Sequence, residues 1–168
     1  MTYPITQLPH LLAALLLIIS SATAFAGPQI SLEIIAEKDV VEINEQGEEV
    51  TRRVVANDTI PGDTLFYILR YSNGGTEAAR NVQIDNPMPA NTSYVADSAW
   101  GDGTDILFSI DEGKSYKKPV NLTYEITDRG GQKRKLQASP EQYNAIRWTV
   151  TEILPSTGGS VGFSVVVQ

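Results

Sequence analysis

The side chains here that could do chemistry are mostly carboxylates. Asp102 and Asp105 in "WGDGTD" stand close in sequence to Asp111 and Glu112, and such a group can gather oxygen ligands for a weak extracellular calcium site. The spacing is not that of an EF-hand loop, so a plain solvated acidic loop is the competing reading. The one basic cluster, "RGGQKRK", puts Arg129, Lys133, Arg134 and Lys135 on an expected loop. There they can dock an acidic polymer or phosphate-rich surface, or simply keep an edge hairpin soluble. Trp100, between Ala99 and Gly101, is a candidate contact residue, with core packing as its alternative.

What is missing narrows the chemistry further. The chain has no cysteine, and His10 is its only histidine. Residues 1–26 read as a leader: "LLAALLLIIS" is a short apolar run, and "AFA" offers small residues where a signal peptidase reads. Cleavage after Ala26 would remove His10 and start the mature chain at Gly27. A retained, tethered N-terminus is the alternative, because the leader has no Lys or Arg. Without His or Cys the mature chain has no Ser-His-Asp triad, no Cys-His pair, and no zinc site built on imidazole or thiolate. It also has no disulfide, so packing and strand pairing must hold it together. All of the formal charge of −7 falls after the leader, which argues against nucleic acid or an anionic membrane as partner.

The elements that must position these residues read as strands. From Thr64, the residues Leu65, Tyr67, Leu69 and Tyr71 fall on one face of an extended segment, and Phe66 and Ile68 imply partial cover on the other. Ile30, Leu32, Ile34 and Ala36 alternate likewise, and a change of phase to Val41 and Ile43 after Lys38–Asp39 predicts a bulge. "NEQGEE" is a turn and "VTRRVV" returns. Val82 with Ile84, Tyr94 with Ala96, and Ile106 with Phe108 and Ile110 mark further strands. Val120, Leu122, Tyr124 and Ile126 form another face, Ile146, Trp148 and Val150 another, and Val161 to Val167 close the chain as an interior strand. Only "ASPEQYNAI" offers a helical turn. The mature stretch, about 140 residues, is enough for one core without staples. The expected fold is an all-β antiparallel sandwich of about seven to nine strands over 27–168.

"GDTLFYILRYSNGGTEAARNVQIDNPMPANTSYV" resembles the bacterial cell-surface repeat domain known as domain of unknown function 11. Gly62-Asp63, Tyr67, Asn73, Gly75, Ala79, Asn81-Val82 and Met88-Pro89 carry the resemblance, and Asn86 departs from the family's usual Asp. The close, "WTVTEILPSTGGSVGFSVVV", is similar to the family's end. Residues 101–140 match poorly and resemble an inserted hairpin or two. The resemblance implies an immunoglobulin-like sandwich on an exported bacterial protein and says little about activity.

The same residues have local explanations. Asn73-Gly74-Gly75 offers positions tolerant of positive φ for a tight connection between antiparallel strands. Pro87 and Pro89 must end a strand, Asn86 can bond the backbone two residues on, and Met88 is placed to plug the end of the sandwich. "SIDEGKSY" resembles the Asp-box of sialidase propellers, in which the carboxylate ties a hairpin turn; a sugar-binding role is its minor reading. "LPSTG" spells a sortase signal, but no span of about 20 apolar residues follows it, so a turn is expected. Sequons at Asn57, Asn91 and Asn121 are expected to be silent.

The expectation is a non-enzymatic exported module with a structural or protein-interaction role in the envelope, periplasm or extracellular space. It would bind an envelope protein or glycan, span no membrane in its mature form, and need no cofactor. Calcium or carbohydrate binding at 100–116 is the alternative. A glycosidase built on two carboxylates is the least favoured class, since no Asp/Glu pair signals it.

Overall fold

The alternation in the sequence is realised as strands paired antiparallel throughout. The computed structural model describes residues 27–168, so the expected leader and the cut after Ala26 lie outside the described residues. The strands are β1 (Ile30–Ile43), β2 (Glu49–Val55), β3 (Thr64–Asn73), β4 (Ala79–Pro87) and β5 (Thr92–Tyr94), followed by β6 (Thr104–Ser109), β7 (Thr123–Thr127), β8 (Lys133–Gln137), β9 (Ala145–Ile153) and β10 (Gly158–Val167). Two 3-10 turns, Pro119–Asn121 and Pro140–Gln142, are the only helical pieces among the described residues.

Five strands form one sheet in the order β2-β1-β3-β10-β5, three form a second in the order β4-β9-β6, and β7 and β8 pair by themselves. Leu65, Leu69, Val161, Phe163 and Val165 face Ile84, Ile146, Trp148 and Val150 in one buried cluster, which makes the arrangement sandwich-like. Trp148 is fully buried, and its ring lies 6.0 Å from that of Phe163, which stacks on Tyr67 at 5.2 Å. β10 lies between β3 and β5, the interior position its apolar run calls for.

Several local expectations are corrected. No bulge interrupts β1: its register runs unbroken from Ile30 opposite Asn73 to Lys38 opposite Leu65, and from Glu37 opposite Val55 to Ile43 opposite Glu49. The phase changes because β1 outruns β3 and projects with β2 as a hairpin, leaving Val41 and Ile43 about two-thirds exposed. Its first apolar set, Ile30, Leu32 and Ile34, is also exposed.

Asn73-Gly74-Gly75 does not form a two-strand hairpin, because β3 and β4 lie in different sheets and neither glycine has positive φ. Gly75 is required for another reason: a Cβ there would sit 2.1 Å from the Gly27 carbonyl oxygen. Asn86 donates to the Pro87 carbonyl, one residue on instead of two. Val120 lies in a 3-10 turn, exposed, so that strand begins only at Thr123. Pro87 does end β4, and Met88 packs half-buried against the core. Within 101–140 the chain first supplies β6 to the second sheet and then makes the separate β7–β8 hairpin.

Candidate functional site

Two surfaces gather side chains capable of recognition. The first is a cleft of about 440 Å³ floored by Tyr94, Phe108 and Tyr143. Tyr94 closes β5, Phe108 lies in β6, and Tyr143 follows the turn at Pro140, where the Ser139 N–H donates to the Gln142 side-chain oxygen. The three rings contact one another, with centroids 4.7 Å apart for Phe108–Tyr143 and 5.1 Å for Tyr94–Phe108. The Ala99 N–H donates to the Tyr94 hydroxyl, and the Ser98 hydroxyl donates to the Val95 carbonyl while accepting from the Ser164 N–H. Those bonds pin the loop 95–99 to β10. Asp97, in the left-handed region at φ +58°, and Lys118 stand on the rim. Burial pushes the Tyr94 and Tyr143 phenols above their ordinary pKa, so both are neutral donors at physiological pH.

The second surface is the outer face of the five-stranded sheet. Trp100 bridges Gly162 through paired backbone hydrogen bonds, and its indole lies over that glycine, where a Cβ would meet the ring at 2.7 Å. Its carbonyl also accepts the Trp148 indole N–H at 3.0 Å. In the same row across the sheet follow Ile68 and Ile35, both half-buried. Beside them the Arg53 guanidinium sits 3.5 Å over the Phe66 ring. This is the partial cover that Phe66 and Ile68 imply. Trp100 itself is 45% exposed, which corrects the core reading and leaves it free to contact a partner.

The other named residues do not converge. Asp102 lies exposed in the turn after Trp100. Asp105 pairs with Lys118. Asp111 is consumed by its own turn: the Ser115 hydroxyl donates to one carboxylate oxygen at 2.6 Å, and the Ser109 hydroxyl and Ser115 N–H donate to the other. Those bonds, led by the Ser115 hydroxyl, lower its pKa to about 2. No group of three or more possible metal ligands converges among the described residues.

On the β7–β8 hairpin, Lys133 and Lys135 share one face, Arg134 takes the other, and Arg129 sits in the connecting turn. Lys133 lies 3.8 Å from Glu125, and Arg134 lies 3.3 Å from Asp128. Sequence reasoning missed the aromatic cleft. Its rings come from three separated segments, and no spacing announces that they meet. Comparison with protein-family models, curated proteins and solved structures finds no match to this chain.

Proposed function

We propose that the chain is a non-enzymatic, exported, immunoglobulin-like module that acts by holding or docking a partner in the bacterial envelope or extracellular space. The observation that carries this is the outer-face row of Trp100, Ile68 and Ile35, which offers an aromatic anchor with an apolar surround on a rigid sheet. Rigid aromatic anchors contribute much of the binding energy at protein interfaces, and this one does little for the core. The resemblance to the cell-surface repeat domain and the small-residue leader both favour export.

The test is to fractionate cells, cross-link, and identify what co-purifies with the processed protein, comparing wild type with Trp100→Ala. Capture that depends on Trp100 supports the reading. Turnover of a glycan or other substrate by the purified protein overturns it. The aromatic cleft favours a second reading, carbohydrate binding, because sugars stack on such rings. Titration with soluble envelope oligosaccharides, followed by chemical shifts of Tyr94 and Tyr143, separates the two.

A further inference from the structure

We infer that β2 is a self-association edge, through which two copies pair antiparallel and join their five-stranded sheets into one. This deepens the docking role proposed above, and rests on it, by naming the partner as a second copy of this chain.

The phase of the hairpin ladder is fixed by two bonds: the Ala56 N–H donates to the Ala36 carbonyl, and the Asn44 N–H to the Glu48 carbonyl, both at 2.9 Å. Even-numbered residues of β2 therefore direct their backbone groups to β1, while Glu49, Thr51, Arg53 and Val55 aim theirs outward. No described strand lies on that side.

Proteins usually guard such an edge with projecting Lys or Arg, a proline or a bulge. β2 has no proline, and its register is unbroken. Its two arginines fold back over β1. Arg52 grips Glu42 with bonds of 2.6 and 3.1 Å, and Arg53 grips Asp39 with bonds of 2.5 and 3.2 Å while stacking on Phe66 of β3. The edge backbone is left bare.

The edge is also complementary to itself. Antiparallel pairing centred on Thr51 opposite Thr51 of the second copy uses the outward backbone groups and sets Glu49 against Arg53 of that copy, twice by symmetry. No ion pair engages Glu49 among the described residues, and Arg53 reaches it by turning away from Asp39 and Phe66, so pairing exchanges one exposed ion pair for another. Exposed Val50 comes to lie opposite Arg52 of the second copy. Moving the register by two residues one way would set Arg52 against Arg52, which like charge disfavours, and the other way would set Val50 against Val50 and leave Glu49 opposite Thr51, without the Glu49–Arg53 contact.

The experiment is sedimentation of the exported protein, purified as processed, between about 1 µM and 1 mM. A reversible dimer is expected. Glu49→Arg should weaken it about tenfold by placing like charges opposite each other at both symmetric contacts. Thr51→Pro should abolish it while leaving the fold intact, because the N–H it removes faces solvent in the monomer. The chain has no cysteine, so single-cysteine variants report cleanly: Thr51→Cys should oxidise to a covalent dimer and Val55→Cys should not.

A protein that stays monomeric throughout overturns the inference, as does a dimer indifferent to both Glu49→Arg and Thr51→Pro. Monomeric protein that still captures an envelope partner through Trp100 sinks self-pairing alone and leaves the docking role standing. Monomeric protein that captures nothing sinks both.

Discussion

Asn73 is a single side chain that closes three parts of the chain together. It is buried; its oxygen accepts from the Gln29 and Gly75 N–H groups, and its amide donates to the carbonyls of Glu77 and Ile153, all between 2.7 and 3.0 Å. Replacing it with alanine strands buried donors and acceptors, so Asn73→Ala should cost about 2–4 kcal/mol, read as a lower urea midpoint with an unchanged slope. Asn73→Asp should be no better, since a carboxylate has no donor for the two carbonyls. The sequence names this asparagine through its place before two glycines, but only the fold explains it, because Gln29 and Ile153 are remote in the chain.

Asp111 gives the second residue-scale expectation. Its pKa is depressed from 3.8 to about 2, so its contribution to stability is present above the unfolded value and disappears as pH falls from about 4 through 2. Melting temperature should therefore fall across that window in the wild type. Asp111→Asn should flatten that part of the profile, and an unchanged profile would remove Asp111 from the account.

Among the elements, β10 shows what a strand must give up to sit at the centre of a sheet. Val161, Phe163 and Val165 bury one face, while Gly162 on the other leaves room for the Trp100 indole and the Tyr67 carbonyl. A Cβ at Gly162 would lie 2.6 Å from that carbonyl, so Gly162→Ala should cost about 1–3 kcal/mol and shift tryptophan emission as Trp100 is displaced. Trp100→Ala in the same background should recover only part of the loss, because the backbone contact remains. Strands with one face in the core, β3, β9 and β10, were legible because burial imposes the two-residue period on them. β1 misled because its alternation persists where no second sheet covers it: Leu32 and Ile34 remain about half exposed. Val120 misled because an apolar residue in a 3-10 turn falls in phase with a strand by chance.

For the whole molecule, the sandwich and the β7–β8 hairpin are bound together very unequally. The main sheets share one buried cluster, whereas every residue of β8 is exposed, including Leu136, and β7 pairs with no strand other than β8. What fastens the hairpin lies near its base: the Ala138 N–H donates to the Leu122 carbonyl at 2.8 Å, both residues are buried in the main core, and Tyr124 of β7 packs half-buried against it. Stability is expected to follow this division, with amides of β7 and β8 exchanging through local opening while those of β3, β9 and β10 exchange only with global unfolding. The division falls inside 101–140 and not at its start, since β6 is a full member of the second sheet and only β7 and β8 pair by themselves. Removing Thr123–Gln137 and joining Leu122 to Ala138 through a two-residue Asn-Gly turn should therefore leave a cooperatively unfolding sandwich with Trp148 still buried. The deletion removes Lys133, Arg134 and Lys135 together with Arg129, so an envelope partner lost with it, while Trp100-dependent capture persists, would assign the basic hairpin a separate contact. A deletion product that fails to fold would instead make the hairpin part of the core, and the unequal division drawn here would be wrong.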